Sequence, residues 1–135
     1  MSRCLVCNCN ATMPLDGKDL APVLRSTQAL TIHHELCKRE VGAFESALAG
    51  AAADVESLTV ACTQEAPLFS ALAAGSPHKE VALKFVNIRE TGGWSSQAGA
   101  AMPKIAALLA ASAMPEPAPV PGVSYKSGEI GRAHV

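Results

Sequence analysis

The sequence predicts an α/β fold, in which a small parallel sheet of about four strands is flanked by helices on both faces. Short apolar runs alternate along the chain with stretches in which apolar residues recur at helical spacing, which is typical of parallel sheets covered by helices. The length of 135 residues suits one domain with its own core. Right-handed crossovers are expected, and the strand order that we favour is 2-1-3-4, as in a flavodoxin-like or Rossmann-like half-fold.

Each strand is predicted from a short apolar run. A run of four to eight apolar residues has the length of a buried strand in a parallel sheet. The segments of this chain that are rich in apolar residues, some of them interrupted by polar ones, are "RCLVC", "ALTIHHEL", "VESLTVAC" and "EVALKFVNI". The predicted strands cover residues 3–7, 29–36, 55–62 and 80–88.

The first two helices are predicted from capping residues and helical periodicity. Asp16 is an N-cap candidate, and the helix after it is expected to be short or kinked because Pro22 disrupts a regular helix. The second helix is predicted over about residues 38–48, with Gly50 as its stop.

The second half of the chain contains two further helices and a long loop. The third helix is expected to follow Thr63, whose hydroxyl is suited to cap it, and to run to Gly75. Residues 89–100 are polar and glycine-rich, and we predict a loop there that holds the only tryptophan. The last helix is predicted over roughly residues 99–113, with Pro103 near its start.

The C-terminal part of the chain differs in composition from the rest. We predict a domain over residues 1–113 and then, over residues 114–128, a stiff proline-rich linker toward a missing downstream domain. Residues 129–135, "EIGRAHV", resemble the translation of a common sequencing adapter. We therefore expect that segment to be an artefact and the natural protein to continue past about Gly128. The alternative is a natural polar C-terminus.

Composition and charge exclude several classes of partner. The formal net charge is −1 without a polybasic run, which argues against nucleic acid or an anionic membrane as the main partner. No apolar run approaches the roughly 20 residues of a membrane-spanning helix. The N-terminus lacks the apolar segment of a secretory signal, and the five cysteines then favour a reducing compartment, the cytoplasm. In that compartment clustered cysteines are more often ligands or redox groups than disulfides.

Four of the five cysteines are predicted to meet. Cys7 ends the first strand, Cys9 follows it in the loop, Cys37 follows the second strand and Cys62 ends the third. The ends of parallel strands share one edge of the sheet, and with strand one in the middle about 10 Å of backbone separates the outer cysteines. We therefore predict that these four residues hold an iron–sulfur cluster, [4Fe-4S], with zinc as the alternative, since four thiolates suit that ion as well.

The local sequence also predicts that two of these thiols ionise readily. Cys37 and Cys62 are each expected to begin a helix, where unpaired N–H groups and the positive end of the helix dipole lower the pKa of a thiol. Lys38 and Arg39 add positive charge beside Cys37. Because the thiolate is the form that binds metals, these positions favour ligation.

Four segments of the sequence, within residues 3–125, resemble a known family. They are "CNCNATMPLD", "LCKRE", "ACTQEAPLF" and "FVNIRETGGWS". Together they resemble the N-terminal region of bacterial 4Fe-4S ferredoxin-type proteins that carry a dicluster domain further along the chain. The same cysteine pattern is similar to the N-terminal domain of the flavin-containing subunit of heterodisulfide reductase.

The resemblance implies a [4Fe-4S] cluster on Cys7, Cys9, Cys37 and Cys62. It also implies that the chain is the electron-transfer part of an oxidoreductase and not an independent catalyst. The implied partner is a redox protein or a downstream ferredoxin or flavin domain. The chain departs from the family in lacking a flavin-binding G-x-G-x-x-G motif and the ferredoxin run C-x₂-C-x₂-C-x₃-C, so neither a flavin nor further clusters are assigned to it.

Other residues near the predicted site have simpler interpretations beside functional ones. Cys4 is expected to be a buried small residue that faces away from Cys7, since side chains three apart on a strand point to opposite faces. Of His33 and His34 at most one can face the core. Trp94 either packs over the site, anchors a further domain or is an ordinary surface side chain.

Three polar residues follow the fourth predicted strand at the edge where the cysteines are expected. They are Arg89, Glu90 and Thr91. Their side chains either hydrogen-bond to the cluster sulfurs or to a partner, or they have a plain capping and loop role.

The first alternative function is a cysteine-dependent thiol enzyme. Cys62 lies at a predicted strand-to-helix turn, the position of the nucleophile in several α/β enzymes. His33 or His34 would then act as the base, oriented by Glu35 or Glu65. The second alternative is a structural zinc module, or a scaffold that docks a larger redox subunit.

Overall fold

A four-stranded parallel sheet determines where the cysteine-bearing segments lie. A computed structural model describes residues 3–54, 57–115 and 117–124. The strands lie in the order β2-β1-β3-β4, and all neighbouring pairs are parallel. The predicted fold class and strand order are therefore confirmed. In chain order the strands are β1 (Arg3–Cys7), β2 (Ile32–His33), β3 (Leu58–Ala61) and β4 (Leu83–Phe85).

Three strands are shorter than the apolar runs predict. The run at 29–36 yields only two residues of β2, because only Val6 and Cys7 of β1 pair with them. The run at 80–88 yields three residues of β4, and residues 55–56 of the third predicted strand lie outside the described residues. An apolar run marks burial, whereas strand length depends on the backbone hydrogen bonds that a neighbouring strand provides.

Helices cover both faces of the sheet. The first helix is short, as predicted, and Asp16 caps it by accepting a hydrogen bond from the N–H of Lys18 at 2.7 Å. The third ends at Gly75 as predicted, but Glu65, and not Thr63, occupies its N-cap position. In chain order the α-helices are α1 (Gly17–Leu20), α2 (Val41–Asp54), α3 (Ala66–Ala74) and α4 (Met102–Ser112).

Helix α2 begins and ends later than the sequence predicts. Gly50 lies inside it and does not stop it. A Cβ atom at Gly50 would lie 2.6 Å from the guanidinium of Arg3, and this guanidinium pairs with Asp54 at 2.6 Å. The glycine therefore permits the close approach of β1 to α2, and the prediction of a helix stop is wrong.

Part of the predicted loop at residues 89–100 is helical. Arg89–Gly93 form one π-helical turn, in which the N–H groups of Gly93 and Trp94 donate to the carbonyls of Ile88 and Arg89 at 2.8 Å. Ala98–Ala100 form a short 3-10 turn. Turns of the π type are frequent at functional sites.

The sheet separates two groups of buried apolar side chains. One face packs against α1 and α4 through Val6, Leu20, Ile88, Ile105 and Leu109. The other face packs against α2 and α3 through Phe44, Leu48, Leu58, Val60 and Phe69. The rings of Phe44 and Phe69 lie 4.8 Å apart, and truncation of a buried phenylalanine of this kind costs roughly 3–5 kcal/mol.

The proline-rich segment has neither helix nor strand in its described residues, 114–115 and 117–124. The predicted artefact at 129–135 lies outside the described residues, so the division into domains stays a prediction. In the part of the chain that the structure describes, no helix has both the length and the apolar character needed to cross a membrane.

Candidate functional site

The four cysteines that the sequence singles out line one cavity at the C-terminal edge of the sheet. The cavity has a volume of about 250 Å³. Cys7 and Cys9 reach it from the end of β1, Cys37 from the turn after β2, and Cys62 from the residue after β3. Apolar side chains, Met13, Leu36 and Phe69 among them, line it as well.

The fifth cysteine, Cys4, lies on the other face of the sheet. It packs against the apolar group of α1 and α4, whereas Cys7 belongs to the group of α2 and α3. Burial raises the pKa of the Cys4 thiol to about 12. Cys4 is therefore a packed apolar residue, as the alternation of side chains along a strand predicts.

A left-handed turn sets the position of Cys9. Cys9, Asn10 and Ala11 have φ angles of 53°, 58° and 59°, a region that L-residues rarely adopt in succession. The side chain of Asn8 stabilises the turn, because its Oδ1 accepts a hydrogen bond from the N–H of Ala11 at 2.8 Å. Strained backbone of this kind clusters at functional sites.

Backbone hydrogen bonds join this turn to the segment after β2. The N–H of Asn10 donates to the carbonyl of His34 at 2.6 Å. The same carbonyl accepts from the Cys7 thiol at 3.3 Å, and the N–H of Cys9 donates to the Cys7 sulfur at 3.4 Å. These hydrogen bonds therefore hold together Cys7, Cys9 and the turn that carries Cys37.

The turn that carries Cys37 is stabilised by Glu40. Its Oε2 accepts hydrogen bonds from the N–H groups of His34 and Glu35, both at 2.6 Å, and its Oε1 lies 3.3 Å from Nδ1 of His33. These donors, the N–H of Glu35 foremost, lower the pKa of Glu40. The charged form of this carboxylate is therefore part of the folded site.

The pKa values of two cysteines contradict the sequence-based expectation. Burial raises the pKa of both Cys37 and Cys62 above the ordinary value. Cys37 lies four residues before the start of α2, so it does not occupy the helix N-terminus that was expected to lower the pKa of its thiol. The N–H groups of Glu65 and Gln64 do lower the pKa of Cys62, but burial outweighs them. In the absence of a ligand, both side chains are therefore mainly in the thiol form at neutral pH.

Arg89 approaches the site from the π-helical turn. Its Nη1 donates to the sulfur of Cys9 at 3.7 Å, and its Cζ lies 4.2 Å from the centre of the Trp94 ring. The indole N–H of Trp94 in turn donates to the hydroxyl of Thr12 at 2.8 Å. Thr91 is not part of the lining, because its hydroxyl donates to the carbonyl of Asn87.

The structure gives the thiol-enzyme hypothesis one unfavourable and one favourable feature. A nucleophilic cysteine needs a lowered pKa or an adjacent base. The unfavourable feature is that the pKa of Cys62 is raised and the buried His33 is bound to Glu40. The favourable feature is that His34 and Glu65, the other base and orienting residue of that hypothesis, line the same cavity as Cys62. Glu35, one of the two proposed orienting residues, pairs with Arg39 at 2.8 Å, and this carboxylate offsets the positive charge that Arg39 adds beside Cys37.

Sequence reasoning missed three residues of the site: Glu40, Gln64 and Met13. Gln64 follows Cys62 by two residues at a predicted helix start, which is a usable signal. The roles of Glu40 and Met13 depend on turns whose shape tertiary contacts determine, so no local pattern reveals them.

Within the described residues, no three His, Cys, Asp or Glu side chains come close enough together to hold a single metal ion. The cysteines are instead distributed around the cavity.

Comparison with models of protein families finds no match to this chain. Comparisons with curated proteins and with solved structures find no match either. The family resemblance therefore stays a prediction.

Proposed function

We propose that this domain holds a [4Fe-4S] cluster on Cys7, Cys9, Cys37 and Cys62 and transfers single electrons. The observation that supports the proposal is the shared cavity: four cysteines from three separate segments line it, and the fifth does not. Thiolates are the common ligands of iron–sulfur clusters.

The spread of the cysteines supports a cluster more than a zinc ion. A structural zinc ion needs four ligands at about 2.0–2.3 Å from one point, and the described residues contain no compact set of that kind. A four-iron cluster is a larger body, and each of its thiolates binds a different iron. Ligands distributed around a cavity of about 250 Å³ suit the larger group.

When bound, such a cluster takes up and releases one electron. The chain contributes the ligands, hydrogen-bond donors to sulfur from the N–H groups of Gln64 and Glu65 and from Arg89, and apolar surface from Leu36 and Phe69 that excludes water. We propose a one-electron partner, either a redox protein or a ferredoxin or flavin domain beyond the linker, and a reducing compartment such as the cytoplasm.

The test is anaerobic expression of the full chain with iron and sulfur supplied, followed by measurement of iron, acid-labile sulfide and visible absorbance. We expect iron and sulfide in the wild type, and their loss in Cys7→Ala, Cys9→Ala, Cys37→Ala and Cys62→Ala. Cys4→Ala is the matched control and should retain both.

Two results would contradict the proposal. One is a colourless wild type without iron or sulfide after reconstitution. The other is binding of zinc alone when iron and zinc are both supplied, which would support the structural zinc module.

A further inference from the structure

The guanidinium of Arg89 is held on each of its sides. Its Nη1 donates to the Cys9 sulfur at 3.7 Å, its Nη2 donates to Oε1 of Gln64 at 3.0 Å, and its Nε donates to Oε1 of Glu90 at 2.7 Å. One face of it lies against Trp94. The side chain is only 18% exposed, so the charge is fixed in position beside the sulfur.

Arg89 differs from the other cation of the cavity. Lys38 also lines the cavity, but its side chain is exposed. Among the described residues, Arg89 is the cation that donates a hydrogen bond to a cysteine sulfur. Its charge therefore acts at short range and through a directed bond, both of which strengthen an electrostatic effect.

We propose that Arg89 is a positioning residue that raises the reduction potential of the site through the Cys9 sulfur, and that Glu90 partly offsets this effect. The inference rests on the proposed function. Uptake of one electron, from a low-potential one-electron donor such as a reduced flavin or another iron–sulfur centre, adds one negative charge to the site. A cation that donates to a ligand sulfur stabilises the reduced form more than the oxidised form.

Glu90 opposes this stabilisation because its carboxylate pairs with the same guanidinium. Substitutions that neutralise Arg89 or Glu90 should therefore shift the reduction potential in opposite directions. Arg89→Gln removes the positive charge and lowers the potential, whereas Glu90→Gln removes the offset and raises it. A merely structural role of the pair would move both variants in the same direction, since each breaks the same contact.

The experiment is a redox titration of the reconstituted full chain, with dithionite as reductant and the reduced cluster followed by electron paramagnetic resonance. The variants are Arg89→Gln, Arg89→Lys and Glu90→Gln, with Lys104→Gln as the control for loss of a charge. Lys104 is exposed on α4 and does not line the cavity. Iron content is measured for every variant.

We expect a negative shift for Arg89→Gln, a smaller one for Arg89→Lys, a positive shift for Glu90→Gln and none for Lys104→Gln. Potentials of Arg89→Gln and Glu90→Gln that equal that of Lys104→Gln, at unchanged iron content, would overturn the inference while leaving the cluster proposal intact. If Arg89→Gln fails to retain iron, the sign of the shift in Glu90→Gln decides. Absence of iron from the wild type would overturn the proposed function itself.

Discussion

Gly93 lies so close to Met13 that a Cβ atom on the glycine would overlap the sulfur of the methionine. The contact joins the π-helical turn that carries Arg89 to the loop that carries Cys9. Met13 is buried, with only 3% of its surface exposed, so its side chain has little room to move away. The π-helical turn and the loop of Cys9 can therefore lie this close together only because residue 93 is a glycine.

Substitution Gly93→Ala is expected to lower the free energy of unfolding by about 1–3 kcal/mol, the range for overpacking of a filled core. The measurement is chemical denaturation followed by circular dichroism. Gly99→Ala is the matched control, since a Cβ there meets no atom within 4 Å. Equal stability of the two variants would show that Met13 does not restrict Gly93.

Substitution Ala11→Gly is expected to raise the free energy of unfolding by about 0.5–1 kcal/mol. The φ angle of Ala11 is 59°, a conformation that costs an L-residue more than the added freedom of glycine in the unfolded chain. Ala107→Gly, at an exposed position of α4, should instead lower it by a similar amount. A loss of stability in both variants would contradict the left-handed turn.

The free energy of unfolding is expected to depend on pH in the acid range because of the carboxylate of Glu40. Its folded pKa lies below the ordinary value of 4.5, so its contribution is present above that pH and is lost as pH falls through the folded pKa. The wild type should exceed Glu40→Gln in unfolding free energy by roughly 1 kcal/mol at pH 7, after allowance for solvent screening. The difference should shrink below pH 4.5.

The control for this prediction is Glu45→Gln, at an exposed position of α2. Denaturation curves at several pH values measure all three proteins. A constant difference between wild type and Glu40→Gln across the acid range would mean that the carboxylate charge does not stabilise the turn.

Alkylation of Cys62 by iodoacetamide in the cluster-free protein should be slower near pH 7 than in the unfolded chain. Because burial raises its pKa above the ordinary 9.0, the thiolate fraction at neutral pH is reduced, and the rate should rise steeply only above that pH. Mass spectrometry of peptides measures the modified fraction. Rapid, selective alkylation of Cys62 at pH 7 would instead support the thiol enzyme.

Local patterns were sufficient for the class of fold but not for the lengths of its elements. The alternation of apolar runs with helical periodicity predicts the parallel sheet, and the order favoured for it, that of a flavodoxin-like half-fold, is the observed one. The same runs overestimate β2 and β4, and Gly50 misleads because its role is a contact with Arg3. Residue types report on burial, whereas hydrogen-bond partners in a sheet come from distant segments.

The sequence by itself determined that Cys7 ends a strand of one parallel sheet, that Cys37 and Cys62 follow two others, and hence that all three lie near one edge. Only the tertiary structure decided how each sulfur is surrounded: the left-handed turn at Cys9, the burial that raises two thiol pKa values, and the contact of Arg89 with a sulfur 80 positions away. The alternation of strands and helices follows from local residue patterns that repeat along the chain. Solvation and side-chain contacts depend instead on segments that become neighbours only when the chain folds.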